Sequence, residues 1–175
     1  MNQAITIKNK YFKDQITIVS MSLGGQVNNL INAAVTALKK ANIFVVVAGG
    51  NDNKDACNYS PASSPDAFTV GASDVTDNRA YFSNFGNCIN IFAPGLDIYS
   101  TKPNNSYQFM SGTSMATPIM AGFSLAVASS FGIKKPDEIK SAVLSHVSVN
   151  KVKNSKSNNN FLPYDGETRL SFLDN

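Results

Sequence analysis

The sequence is poor in several residue types that define particular classes of protein. It has no tryptophan, one histidine (His146) and two cysteines (Cys57 and Cys88). Two cysteines establish no disulfide by themselves, and a pair of free buried thiols is an equally open interpretation. No apolar run reaches about 18 residues, so we predict no membrane span. The amino terminus also lacks the apolar run of a signal peptide.

Charge of one sign is not concentrated anywhere in the chain. The 15 basic and 12 acidic residues give a net charge of +3, and the basic residues form no block longer than pairs such as those at 39–40 and 134–135. Such pairs are typical of solvated helix faces, so we expect no nucleic-acid partner. With 43% hydrophobic and 15% charged residues, the composition excludes a disordered chain, a collagen and a coiled coil.

The pattern of apolar residues predicts an α/β fold in a chain long enough for one domain. Strands are predicted at 16–22 and 43–48, with a helix of period 3.6 at about 27–41 between them. A strand, a helix and a buried strand in this order make a βαβ unit with a right-handed crossover. Two shorter strands are predicted at 67–71 and 89–92.

Two further helices are predicted in the second half of the chain. The first, at about 114–131, is apolar over most of its surface and should be a buried, central helix. The second, at 136 to about 147, begins with proline and two acidic residues, a typical amino-terminal signature. The polar segment 150–160 that follows is predicted to be a surface loop.

A serine stands at the start of the long apolar helix, in the segment Ser-Gly-Thr-Ser-Met-Ala-Thr-Pro at 111–118. The free N–H groups and the dipole of a helix amino terminus stabilise a developing negative charge there. Ser114 is therefore a candidate nucleophile if a base takes its proton. The simpler alternative is that Ser114 only caps the helix.

The buried strand at 43–48 ends in Gly49, Gly50 and Asn51. Glycines let another backbone approach closely, and the Asn side chain offers a neutral N–H donor. Taken alone, this segment is equally well described as an ordinary turn at the end of a strand.

These motifs together resemble those of the subtilisin-like serine proteases, most closely the proteinase K branch. The nucleophile motif corresponds to Gly-Thr-Ser-Met-Ala-Thr-Pro at 112–118, and the segment of the oxyanion asparagine to Ala-Gly-Gly-Asn at 48–51. The substrate-binding strand corresponds to Ser-Met-Ser-Leu-Gly-Gly at 20–25. Further segments follow in the family's order, at 58–63, 69–73, 82–86 and 91–95.

The resemblance implies a subtilisin-like parallel sheet with helices on both faces, and a role for each matched residue. Ser114 would attack the peptide carbonyl, and Asn51 would donate a hydrogen bond to the oxyanion. The expected substrate is a polypeptide with a broad or apolar preference, bound by Ser22, Leu23, Gly24, Ala48, Gly49, Gly50, Ser111 and Gly112.

Two members of the catalytic triad have no counterpart in the sequence. The family carries its Asp and His in motifs that precede the segments matched here, and neither motif occurs. His146 is expected to be a surface or packed helix residue, and Asp14 a solvated turn residue. The resemblance therefore implies the C-terminal portion of a catalytic domain over 1–175, with the N-terminal strands missing and supplied by another part of the same protein.

The resemblance carries four smaller implications. Cys57 and Cys88 would form a disulfide found in some relatives. No cofactor is required, and a calcium site at Pro65 and Ala67 is weakened because Asn90 replaces the expected Asp. The full-length parent would be secreted or vacuolar. The last short strand would lie at 168–170.

Three functions follow from these observations. The first is a serine endopeptidase of which this chain is a part, and the second is an inactive fragment or pseudoprotease that at most binds peptides. The third is a nucleotide-binding protein using Gly49 and Gly50, which the absence of any phosphate-binding glycine motif disfavours.

Overall fold

The computed structural model describes residues 1–163, which hold four α-helices and ten strands. The helices are α1 (Asn2–Tyr11), α2 (Asn29–Lys40), α3 (Thr113–Ser130) and α4 (Pro136–Leu144). The strands are β1 (Ile18–Met21), β2 (Gly25–Gln26), β3 (Phe44–Ala48), β4 (Tyr59–Ser60), β5 (Phe68–Ser73), β6 (Ile91–Pro94), β7 (Ile98–Lys102), β8 (Ser106–Met110), β9 (Val147–Val149) and β10 (Phe161–Pro163).

The four strands predicted from the apolar pattern form one parallel sheet in the order β1-β3-β5-β6. The register pairs Val19 with Val45, Val46 with Phe68, and Val70 with Ile91. β3 is buried along its whole length, as its uninterrupted apolar run predicts for a central parallel strand. The α/β fold class predicted from the sequence is confirmed.

Helices cover both faces of this sheet, because successive side chains of each strand point to opposite sides. Val46 of β3 packs in the core formed with α3 and α4. Val45 and Val47 pack in a second core with α2, against which Ala4 of α1 also lies. α3 contacts all four strands, so its amino terminus is fixed relative to the sheet.

Three features differ from the predicted elements. The amino-terminal segment forms α1, and the segment before the nucleophile motif forms the antiparallel hairpin β7-β8; neither was predicted. The helix predicted to reach about Val147 ends at Leu144, because Val147 begins β9 and pairs with β10. The strand predicted at 168–170 lies outside the described residues. None of the helices within 1–163 is both long and apolar enough to cross a membrane.

A lysine between two carboxylates joins α2 to α4. Lys39 Nζ lies 2.7 Å from Asp137 Oδ1 and 3.3 Å from Asp66 Oδ1. The Thr36 hydroxyl donates to Asp66 Oδ2 at 2.6 Å. This hydroxyl and the Lys39 ammonium together hold the pKa of Asp66 below its ordinary value of 3.8, although burial opposes them. The Asp137 and Asp66 carboxylates raise the pKa of Lys39 above 10.5.

These two pKa shifts predict the pH range in which the contacts of Lys39 and Asp66 stabilise the fold. Because the folded pKa of Asp66 is lowered, its contribution is complete above about pH 4 and is lost as the pH falls through the folded pKa. The contribution of Lys39 is complete below its ordinary pKa and is lost as the pH rises through the raised value. Asp66→Asn should therefore lose less unfolding free energy than the wild type between neutral pH and about pH 3.

Urea unfolding over this pH range measures the difference. Asp14→Asn is the control, because Asp14 lies exposed in a turn before β1, and its acid dependence should match that of the wild type. An Asp66→Asn variant with the wild-type acid dependence would contradict a stabilising role for the Asp66 carboxylate.

Candidate active site

The carboxyl ends of β1 and β3 meet at one edge of the sheet, where parallel α/β folds place their binding crevices. The chain leaves β1 through 22–25 and leaves β3 through 49–52, and both segments line a cleft of about 320 Å³. The amino terminus of α3 forms a further wall of this cleft, and Tyr59, Ser60 and Ala62 complete it. The cleft therefore gathers three motifs that are far apart in the sequence.

Ser114 is the second residue of α3 and lies half-buried in the cleft wall. The helix is capped by Gly112 without a side-chain hydrogen bond, so the alternative that Ser114 is the cap residue is wrong. Among residues 1–163, neither the Ser114 hydroxyl nor its backbone N–H has a hydrogen-bond partner. Both groups are therefore free to act on a bound molecule.

Asn51 is held so that its amide nitrogen is left free. Its Oδ1 accepts hydrogen bonds from the Thr113 backbone N–H at 2.8 Å and from the Thr113 hydroxyl at 2.9 Å. Because the Thr113 backbone N–H can only donate, its partner must be the amide oxygen, and this fixes the orientation of the amide. Asn51 Nδ2 has no partner among the described residues and belongs to an exposed side chain in the cleft lining.

The two free N–H donors lie close together beside Gly112. The point that a Cβ atom on Gly112 would occupy lies 3.4 Å from Asn51 Nδ2 and 3.6 Å from the Ser114 backbone nitrogen. Met115 Sδ also lies 3.6 Å from this point. Two unpaired N–H donors close to a serine hydroxyl are groups from which an oxyanion-binding site can be built.

The carbonyl group of Ser114 is also specifically bound. Pro118 has no N–H to donate to this carbonyl, which lies four residues earlier in α3. The Ser22 hydroxyl donates to it instead, at 2.8 Å. The first turn of α3 is thereby tied to the end of β1.

The structure brings together most of the residues predicted to bind substrate. The cleft is lined by Ser22, Leu23, Gly24, Ala48, Gly49 and Gly50. Ser111 and Gly112, predicted to close its far side, are not in its lining: the Ser111 hydroxyl accepts from the Asp97 N–H, and the Gly112 N–H donates to Gly95.

Sequence reasoning missed four polar residues of the cleft lining: Asp52, Tyr59, Ser60 and Thr113. Burial raises the pKa of the Tyr59 phenol above its ordinary value, and the nearby Asp52 carboxylate raises it further. The Tyr59 phenol therefore stays protonated at neutral pH and can donate a hydrogen bond. Tyr59 is only seven residues after Asp52 in the sequence. It reaches the cleft because β4 pairs with β2, a contact that no local motif indicates.

The single histidine lies outside the cleft lining. His146 follows α4, where its Nδ1 lies 2.8 Å from the Ala142 carbonyl oxygen and 3.0 Å from the Ser145 hydroxyl. Its ring packs beside Phe131 with centroids 5.1 Å apart. These contacts are those of a packed residue at the end of a helix. Asp14 is exposed and lies in a turn.

Cys57 and Cys88 form a disulfide that connects the segment before β4 to the segment before β6. Asn90 stands where the resemblance places the Asp of a calcium site, which weakens that site. Asn90 Oδ1 accepts the Thr69 N–H at 2.7 Å, so this neutral oxygen is already used within the chain. The Asn90 side chain does not fit a calcium site that depends on an anionic oxygen, and calcium enters no step proposed below.

Comparisons with known proteins agree with this geometry. The sequence model of the subtilase family, Peptidase_S8, matches residues 1–162. "Subtilisin-like protease 2" of Pseudogymnoascus destructans is 42% identical over 156 residues, which are 88% of this chain and 39% of the relative. "Subtilisin-like proteinase Spm1" of Pyricularia oryzae is 54% identical over 117 residues, 66% of this chain and 22% of the relative.

A solved structure is similar over nearly all of the chain. The crystal structure of a cold-adapted subtilisin-like serine proteinase aligns with a TM-score of 0.84 and 34% identity, covering 94% of this chain and 61% of that protein. The matched part of this chain spans 39% of the length of the Pseudogymnoascus destructans relative and 22% of the length of the Pyricularia oryzae relative. The family match over residues 1–162, together with the similar fold, shows that the chain belongs to the subtilase family.

Proposed function

We propose that this chain carries the nucleophile and the oxyanion-binding half of a serine endopeptidase active site. One observation carries the proposal: the Ser114 hydroxyl, the Ser114 N–H and Asn51 Nδ2 have no partner among residues 1–163 and lie together at the amino terminus of α3. The substrate would be a polypeptide. The exposed segment 22–24 would bind its backbone as an added strand, and residues 48–50 would line the pocket for the residue before the scissile bond.

In the proposed reaction, the Ser114 Oγ attacks the peptide carbonyl carbon while a base takes its proton. The electron pair of the carbonyl moves to its oxygen, which accepts hydrogen bonds from Asn51 Nδ2 and the Ser114 N–H. The carbonyl then re-forms as the C–N bond breaks, the base gives its proton to the leaving amine, and water hydrolyses the acyl-serine. The Thr113 and Ser22 contacts hold both donors in place before the reaction begins.

The base and its orienting carboxylate would come from outside this chain. His146 is engaged at the end of α4 and does not line the cleft. Without a base beside Ser114, the 175-residue chain should not hydrolyse peptides at a useful rate. We propose that an amino-terminal part of the same protein supplies both groups, in a parent that is secreted or vacuolar.

A peptide-binding protein without catalysis is the second candidate. The observation in its favour is that the cleft and the exposed segment 22–24 are formed without a histidine in the cleft lining. The two candidates differ in whether Ser114 can be activated, which a reactive probe measures.

The test is the labelling of the purified chain by a small fluorophosphonate, followed by intact mass. We expect no labelling in plain buffer and one adduct per chain when free imidazole is added as the missing base. Labelling should disappear in Ser114→Ala and persist in Ser145→Ala, which removes the serine hydrogen-bonded to His146. Peptide binding with no labelling at any imidazole concentration would favour the peptide-binding protein.

A further inference from the structure

A buried asparagine outside the cleft lining binds the segment that carries Asn51. Asn84 lies between β5 and β6 and is completely buried. Its side chain makes three hydrogen bonds to the cleft loop, defined here as residues 49–54. Nδ2 donates to the Gly49 carbonyl at 2.9 Å, and Oδ1 accepts the N–H groups of Asp52 at 3.1 Å and Lys54 at 2.9 Å.

The backbone of the cleft loop also contacts Asn84 closely at Gly50. Asn84 also donates its own N–H to the Gly50 carbonyl at 2.9 Å. Gly50 has φ +104°, and a Cβ atom there would lie 2.3 Å from Asn84 Nδ2. Only glycine adopts this conformation readily and allows so close an approach. The loop conformation and the buried amide therefore depend on each other.

Asn84 is itself anchored to the central sheet. The neighbouring Ser83 hydroxyl accepts the Ala72 N–H of β5 at 2.9 Å and donates to the Asn84 carbonyl at 2.9 Å. Both Ser83 and Asn84 are fully buried. The amide lies in the irregular segment between β5 and β6 and is tied to the central sheet through Ser83.

The bonds from Asn84 enclose Asn51 on both sides in the sequence. Gly49 and Gly50 precede Asn51, Asp52 follows it, and each is bonded to Asn84. With its backbone held at both ends, Asn51 directs Oδ1 to Thr113 and leaves Nδ2 to the cleft. Removing the Asn84 amide would leave three backbone groups of the cleft loop without partners, which favours a different loop conformation.

We propose that Asn84 is a positioning residue that holds the cleft loop in the conformation directing Asn51 Nδ2 into the cleft. This proposal rests on the proposed function in one respect only, which is that Asn51 Nδ2 acts there as an oxyanion donor. The conformation itself has a signature that needs no reaction, namely protection of the Thr113 amide proton by Asn51 Oδ1.

Amide hydrogen exchange followed by NMR tests the proposal. In Asn84→Ala, exchange at Thr113 should rise by about tenfold more than exchange at β3 and β5 amides, as expected when one buried hydrogen bond is lost locally. The control is Asn160→Ala, since the Asn160 amide makes a similar two-way bond to the backbone of Val152, outside the cleft lining. In Asn160→Ala, amide exchange at Thr113 and at the β3 and β5 amides should change by the same factor.

Asn84→Asp is a second variant for which the proposal predicts a pH profile. A protonated carboxyl donates to the Gly49 carbonyl and accepts the N–H groups of Asp52 and Lys54, whereas a carboxylate has no proton to donate. After correction for intrinsic exchange rates, Thr113 protection should therefore be near wild type at low pH and fall as the carboxyl ionises. This variant keeps the test decisive if Asn84→Ala does not fold.

Equal changes at Thr113 and in the strands for Asn84→Ala, or a flat profile for Asn84→Asp, would overturn the proposal. Labelling of Ser114 with imidazole separates this failure from a failure of the proposed function. If Thr113 loses protection while labelling is unchanged, Asn84 positions the loop, and Asn51 is not an oxyanion donor.

Discussion

Replacing both cysteines by serine is expected to lower the free energy of unfolding by about 3–4 kcal/mol. Cys57 and Cys88 are 31 residues apart in sequence, and their bond closes a loop of that length in the unfolded chain. Closing such a loop restricts the unfolded ensemble, so the folded state is favoured. The bond also flanks a small core of Ala56, Ile89 and Phe92, against which Cys88 packs.

Urea unfolding of the double variant and of the wild type measures this difference. Reducing the wild-type disulfide should reproduce the double variant, because both treatments remove the same link. The reductant should leave the double variant itself unchanged. A loss well below about 1 kcal/mol for both would mean that the unfolded chain is already restricted without the bond.

Asn51→Ala is expected to slow imidazole-assisted labelling of Ser114 by about 10²–10³-fold, which is the effect that loss of the oxyanion asparagine has in subtilisin, a member of the same family. The variant loses Nδ2, one of the two unpaired N–H donors that lie beside Gly112. Because this donor stabilises charge that develops in the transition state, its loss should lower the rate more than the affinity for peptides.

Asn51→Asp separates the donor from the structural role of the side chain. A carboxylate oxygen can still accept both hydrogen bonds from Thr113, so the cleft loop should keep its conformation. It cannot donate to an oxyanion, and labelling should be as slow as in Asn51→Ala. Asn160→Ala should label at the wild-type rate. Wild-type labelling of Asn51→Asp would contradict the assignment of Nδ2 as a donor.

The central sheet and its main helices could be predicted because their patterns are strong and local. The apolar run of β3 and the helical period of α2 each identify an element without reference to the rest of the chain. α1 was missed because only a narrow stripe of it, including Ala4 and Ile5, meets the core, and the helix is polar elsewhere. The β7-β8 hairpin was missed because both strands are mostly exposed.

The site could be predicted only in part. The positions of Ser114 and Asn51 followed from motifs, and the carboxyl ends of parallel strands meet at one edge of a sheet. Thr113 and Asn84 were not predicted, because their roles depend on contacts that span 30 or more residues and involve backbone atoms. No spacing in a single sequence encodes such contacts.

The most direct test of the account is the reaction of the native protein with a fluorophosphonate, combined with its intact mass and amino-terminal sequence. We predict a labelled species heavier than the 18.7 kDa of this chain, with the label on Ser114 and a base-bearing segment before residue 1. An unlabelled native species of 18.7 kDa would contradict the account, since the chain would then be complete and without protease activity.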